Sequence, residues 1–175
     1  MNVYYDDGVI RIRSMLPEDA QTLYDTYLSY GWHPRLETYS GYYADQEKGT
    51  RRVFIAEFNG SVKGQCTLDL HPADGPWGGR DIPEIVDLTV FFDAHGRGIG
   101  SRLLDAAERE AAAVSDTVCL AVGLHSGYGP AQRIYARRGY VPDGSGVWYQ
   151  GRVLGQYAPC VNDDDLVLYL SKRLR

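Results

Sequence analysis

The sequence predicts one α/β domain of the α+β kind over residues 1–175, with a mixed, mostly antiparallel sheet flanked by helices. Three observations carry this. Runs of period-two apolar alternation are interleaved with runs of helical period, in the order β-α-α-β-β-β-α-β-α-β-β. An Asn59-Gly60 pair between two strand-like runs marks a tight hairpin, while the two later helices form crossovers that allow parallel neighbours. At 175 residues and 44% hydrophobic content the chain has the size and composition of one globular domain, and no linker, repeat or low-complexity block divides it.

The elements follow in order. "VIRIRSM" alternates Val9, Arg11 and Arg13 against Ile10 and Ile12, a first strand. Pro17, Glu18 and Asp19 open a helix that runs to about Tyr30, the acids favouring the positive end of its dipole. "RLETYSGYYADQEKG" is a second helix ending at Gly49. Strands 52–58 and 62–70 flank Asn59-Gly60, whose residues both tolerate positive φ. The Gly/Pro-rich loop "HPADGPWGGRD" leads to the strand "EIVDLTVF". From Gly98 to Val114 the pattern is an amphipathic helix, with Ile99, Leu103, Leu104, Ala107 and Ala111 on one face and Arg102, Asp105 and Arg109 elsewhere. "TVCLAV" is a buried strand. "GPAQRIYARRGY" is a short helix with Pro130 at its start and Gly139 as its stop. A strand near Tyr140, a long loop from Pro142 to Asp165 and the strand "LVLYLS" complete the chain.

Charge and cysteines narrow the partners. A net charge of −5 and a pI near 5.3 argue against nucleic acid or an anionic membrane and suit a cationic substrate. Cys66, Cys119 and Cys160 are odd in number and widely spaced, and the first two read as core thiols. No apolar leader or membrane-length run occurs, so a cytoplasmic protein is expected. His33, His71, His95 and His125 show no metal-ligand spacing, and no metal is expected.

The chemistry concentrates in "HGRGIG". Gly96, Gly98 and Gly100 remove side chains where a strand hands over to a helix, and a helix start presents unpaired N–H groups under a positive dipole. A phosphate or pyrophosphate suits such a place. No Lys follows, which excludes a Walker loop, and Leu103 stands where a dinucleotide fingerprint needs its last glycine.

"HGRGIGSRLL" after "LTV" resembles the Arg/Gln-x-x-Gly-x-Gly/Ala motif of the GNAT superfamily of N-acetyltransferases. "AQRIYARRGY" resembles that family's second block, a short helix carrying a tyrosine. The two blocks are separated by one strand, and the element order fits the family's fold over nearly the whole chain. His95 replaces the usual Arg or Gln, and Tyr128 stands where Asn is common. The resemblance implies acetyl-CoA as cosubstrate and direct transfer of its acetyl group to an amine within a ternary complex. His95, Gly96, Arg97, Gly98, Ile99, Gly100 and Ser101 would hold the pyrophosphate, with Arg102, Arg137 and Arg138 as further phosphate candidates. Leu88 and Val90 would pair with the pantetheine arm, and the Val90 N–H would face the oxyanion.

An alkylammonium near pKa ~10 must lose a proton before it can attack. Glu84 is the expected base or water-positioner, with Asp87 its competitor. Regular alternation puts Asp87 on the opposite face with Ile85 and Thr89, and a bulge would reverse this. Tyr135 is the expected proton donor to the leaving thiolate. Trp32, His33, Tyr39, Tyr42 and Tyr43, or Trp148, Tyr149 and Asp163 to Asp165, would hold a cationic acceptor by cation–π and charge pairing. The acceptor is expected to be a small-molecule amine, with a peptide or protein amine as the lesser possibility. The competing reading is an acyl-CoA-binding regulatory module without turnover. Monomer and homodimer both remain open.

Overall fold

A computed structural model describes residues 1–175 as nine strands, four α-helices and two short 3-10 turns. The chain forms two compact units, Met1–Asp69 with Asp87–Glu110, and Leu70–Val86 with Ala111–Arg175.

The first unit contains β1 (Val3–Asp6), β2 (Ile10–Ser14), α1 (Asp19–Ser29), α2 (Leu36–Lys48), β3 (Arg51–Phe58), β4 (Ser61–Asp69) and the Asp87–Val90 half of β5 (Glu84–Val90). It also holds most of α3 (Ile99–Ala112). Its strands follow one another in chain order, with antiparallel pairs such as Ile12↔Ala56 and Phe54↔Cys66. At the expected hairpin Asn59 and Gly60 have φ 49° and 77° and Phe58 pairs with Ser61, the primed turn that matches strand twist. Met15, Leu23, Tyr27, Tyr39, Val53, Ile55 and Phe91 pack together as one buried cluster. The predicted apolar face of α3 is realised, with Ile99, Leu103, Leu104, Ala107 and Ala111 all buried.

One buried ionic network ties three elements of this unit together. The Arg13 guanidinium bonds both carboxylate oxygens of Asp19 at 2.6 and 2.9 Å and Glu57 at 2.7 Å, joining β2, α1 and β3. Burial opposes its charge, yet the two carboxylates hold Arg13 above its ordinary pKa. Asp19 also accepts the Leu16 N–H at 2.7 Å, so the acid predicted to favour the helix start is also an internal tie.

The second unit contains the Glu84–Val86 half of β5, β6 (Thr117–Gly123), α4 (Gly129–Arg137), β7 (Val141–Tyr149), β8 (Arg152–Val153) and β9 (Leu166–Arg173). The strand order is β5-β6-β9-β7-β8. Glu84 and Ile85 pair in parallel with Cys119 and Leu120, and the other pairings are antiparallel. A parallel neighbour needs a long crossover, and α3 lies in it.

Two expectations are corrected. The first strand of the chain is β1, where Tyr4 sets its ring edge against Phe54 at 4.9 Å. The segment expected to be a loop from Pro142 to Asp165 begins with β7 and β8. Gly144 and Gly146, at φ 89° and 87°, lie within a register shift between Pro142 and Val147, so a strand is hidden under loop-like composition. Gln150 and Gly151, at φ 49° and 74°, turn β7 into β8 with Tyr149 opposite Arg152.

Candidate active site

The glycine turn supplies the first feature of the site. Gly96 and Gly98 have φ 74° and 81°, and a Cβ at either would meet nothing within 4 Å. Their glycines are therefore required by backbone conformation rather than by crowding. Gly100 is different: its φ is ordinary, and a Cβ there would touch Val90 Cγ2 at 3.7 Å. The first residue to enter the helical ladder of α3 is Arg102, whose N–H donates to the Gly98 carbonyl at 3.2 Å. The preceding N–H groups of Ile99, Gly100 and Ser101 are thus the unpaired donors of a helix start, as the sequence predicts.

The arginines around this turn have other work. Arg97 lays its guanidinium 4.8 Å from the Phe58 ring centre. Arg102 lies 4.3 Å over Tyr5 and pairs with Asp105 at 3.5 Å. His95 folds back instead of reaching outward. Its Nε2 lies 2.8 Å from the Val90 carbonyl, and its ring meets Phe92 edge-on at 5.6 Å. An imidazole at this position is thereby used to fasten the turn to the end of β5.

On β5 the Phe91 N–H donates to the Lys63 carbonyl at 2.8 Å. Alternation in an antiparallel ladder therefore turns the N–H and C=O of Val90 away from β4. Asp87, in the middle of β5, leaves extended backbone. It is a non-glycine residue at φ 54°, a left-handed conformation costing roughly 1–2 kcal/mol. Its carboxylate accepts a short hydrogen bond from the Tyr42 hydroxyl. Tyr42 meets Tyr39 edge-on at 6.2 Å, and Tyr39 stacks on Tyr27 at 5.6 Å. Trp32 stacks on the other side of this aromatic group, 5.2 Å from Tyr27. Burial and then the Asp87 charge push Tyr39 up to about 12, and the same two causes raise Tyr42 further. Both phenols are held in the neutral form, and the Tyr42 hydroxyl donates to Asp87.

In the second unit Glu84 is half-buried at the start of β5. Burial first, then the charges of Glu84 and Asp74, push Tyr169 up to about 12. Tyr169 is met edge-on by Trp148 at 5.2 Å and Trp77 at 6.1 Å, and a Cβ on Gly75 would strike its ring at 2.9 Å. Of this group the sequence pointed to Trp148 and Glu84 but missed Tyr169 and Trp77. The one signal was a tryptophan inside a glycine-rich loop. Tyr135 lies on α4, is 5% exposed and tilts against Tyr140 at 5.6 Å. Asp163 and Asp164 are committed within the fold. Asp163 accepts the Asp165 N–H at 3.0 Å, and Asp164 accepts from Tyr128 at 3.0 Å and lies 3.0 Å from His125 Nε2.

A family model described as "Acetyltransferase (GNAT) family" matches residues 17–140, more than half of the chain. The chain belongs to the GNAT acetyltransferase family. As a GNAT member it is an acetyl-CoA-dependent N-acetyltransferase with acetyl-CoA as cosubstrate. Solved structures share the GNAT fold at low identity. An acetyltransferase from Salmonella typhimurium that modifies the N-terminal serine of ribosomal protein L7/L12 has a TM-score of 0.73 at 12% identity, covering 98% of this chain and 99% of that one. The Salmonella typhimurium protein yncA, solved with its cofactor acetyl-CoA, has a TM-score of 0.70 at 18% identity, covering 96% and 95%. An N-acetyltransferase from Staphylococcus aureus Mu50 has a TM-score of 0.71 at 20% identity, covering 95% and 99%. At these identities the likeness is one of fold. No curated protein matches the sequence.

Proposed function

We propose that this GNAT chain acetylates the primary amine of a small molecule in one direct step. The observation that carries the reading is the row of unpaired N–H groups at the start of α3, inside the segment matched by the family model. Gly96 to Ser101 hold the pyrophosphate of acetyl-CoA, and Leu88 and Val90 line its pantetheine arm. The amine nitrogen attacks the thioester carbon, and the oxyanion that forms is met by the Val90 N–H. The C–S bond then breaks, and the thiolate takes a proton from the Tyr135 hydroxyl. The amine proton leaves through Glu84 or through a water that Glu84 orients.

The reading takes residues 1–175 as one catalytic domain, since the matched segment runs without a break through parts of both units. A cytosolic setting belongs to it and is supported by three unpaired cysteine thiols. A protein N-terminus is the second acceptor class, favoured by the fold relative that modifies L7/L12. Release of thiol from acetyl-CoA in the presence of an amine panel tests the proposal. Tyr135→Phe is expected to lower kcat by about 10–100-fold while leaving the KM for acetyl-CoA within about twofold. Tight CoA binding without thiol release on any amine or peptide supports the regulatory-module reading instead.

A further inference from the structure

In the first unit β4 and β5 meet at Gly64 more closely than a side chain would permit. A Cβ at Gly64 would lie 2.6 Å from the Thr89 carbonyl oxygen and 3.3 Å from the Val90 Cα. Both are main-chain atoms, so neither can turn aside as the tip of a side chain would. The φ of Gly64 is ordinary, in contrast to Gly96 and Gly98, so conformation does not call for glycine here. Close approach of a neighbouring backbone does.

The surrounding main chain is tied down around this contact. Ala56 of β3 stands opposite Gly64 and Glu57 opposite Val62, so Lys63 is an extra residue in β4. The Lys63 carbonyl accepts the Phe91 N–H at 2.8 Å, and its ammonium pairs with Asp93 at 2.6 Å. His95 Nε2 lies 2.8 Å from the Val90 carbonyl. The peptide that follows Val90 is thus held at both its N–H and its C=O. The peptide that precedes Val90 is held at one end, where the Thr89 oxygen faces Gly64. A trans peptide is planar and sets its C=O and N–H in opposite directions. With the Thr89 oxygen against β4, the Val90 N–H of that same peptide points away from β4.

We infer that Gly64 positions the oxyanion donor: its missing side chain seats the Thr89 carbonyl against β4, and the rigid peptide then aims the Val90 N–H at the thioester oxygen. The inference rests on the acetyl-transfer reading above, which assigns that N–H, and it adds the residue that aims it. Gly64 touches no reacting atom and acts through the Thr89–Val90 peptide, as a positioning residue. A Cβ there pushes on the Thr89 oxygen and rotates the peptide plane. Hydrogen bonds weaken steeply as the donor angle departs from linear. A bond that strengthens as charge develops on the oxygen is worth most in the transition state, so the loss falls on kcat.

The test compares wild type, Gly64→Ala, Leu103→Ala and the double variant. It reads turnover and the infrared carbonyl stretch of bound acetyl-CoA, isotope-labelled at the thioester carbon. In wild type the stretch is expected below that of free acetyl-CoA, because a donor on the oxygen weakens the C=O bond. Gly64→Ala is expected to lower kcat about 10–100-fold and to return the stretch toward its free value. CoA has no thioester carbonyl, and its Kd is expected to stay within about threefold. Leu103 Cδ1, 3.6 Å from the Cβ position, is the nearest side-chain atom there. Leu103→Ala is expected to lower the thermal midpoint and leave the stretch in place, which separates lost packing from a misaimed donor. The conflict is with main chain, so the double variant is expected to stay as slow as Gly64→Ala. A wild-type stretch and kcat in Gly64→Ala, or recovery when Leu103 is trimmed, overturns the inference. If Gly64→Ala does not fold, NMR of wild type decides. A nuclear Overhauser contact between the α protons of Gly64 and Val90, with slow exchange of the Phe91 N–H, supports the seat, and absence of that contact overturns it. A wild-type stretch equal to that of free acetyl-CoA instead removes the Val90 assignment, and the inference with it.

Discussion

Gly98 and Gly100 sit two residues apart and answer to different forces. Gly98 holds φ 81° with open space where a Cβ would go, so alanine there meets backbone strain and no clash. Gly98→Ala is expected to cost about 1–2 kcal/mol or to flatten the turn, and to raise the KM for acetyl-CoA by about tenfold. Gly100→Ala places a methyl in ordinary contact with Val90 on a helical residue and is expected to stabilise by up to about 1 kcal/mol, with the same KM within about twofold. Chemical denaturation and steady-state kinetics on the pair check both halves. If the two variants behave alike, conformation is not what the glycines supply. His95 shows the same lesson in a side chain. It occupies a motif position associated with long polar residues, yet in this fold it ties the turn to the Val90 carbonyl.

At the scale of elements, the short turn Ser126–Tyr128 and the approach to β9 are clamped through one carboxylate. The hydrogen bond from His125 first, then that from Tyr128, holds Asp164 below the usual carboxylate range. A carboxyl group depressed on folding contributes its stabilisation in full above the unfolded value near ~3.9 and loses it as pH falls through the lower folded value. The clamp is therefore expected to be intact at pH 6 and to open on acidification below about pH 4. The Tyr128 ring signals, followed by NMR from pH 6 to pH 2.5, should move in that window and be flat across it in Asp164→Asn. A wild-type ring that ignores the window discards the clamp. Of the run Asp163 to Asp165, expected to help hold a cationic acceptor, Asp163 and Asp164 use their carboxylates in hydrogen bonds within the fold.

At the scale of the molecule, the prediction concerns linkage. A ligand that binds the native state alone stabilises it by about 2.7 kcal/mol at 100 times its Kd, which for a chain of this size lifts the thermal midpoint by roughly 5–10 °C. CoA is expected to give that shift, while ATP and NAD give less than about 2 °C. A larger response to NAD than to CoA would contradict the reading of the glycine turn. The net charge of −5 favours the approach of a cationic acceptor over an anionic one, and no helix is long and apolar enough to cross a membrane.

The sequence alone determined what depends on near neighbours. Helix starts and stops, the Asn59-Gly60 hairpin, the apolar face of α3 and the glycine turn are encoded over a few residues each, because dihedral preference and helical period act locally. The two motif blocks identified the family for the same reason. Tertiary structure decided what depends on partners far along the chain. β1 exists because Tyr5 lies opposite Ile12 and Tyr4 packs on Phe54, and β7 exists because Val147 pairs with Leu168, pairings that no local signal announces. The left-handed backbone of Asp87 belongs to this class as well. Alternation along β5 puts Asp87 on the face of Ile85 and Thr89, and only the folded chain shows its φ of 54° and the Tyr42 hydroxyl of α2 as the partner of its carboxylate.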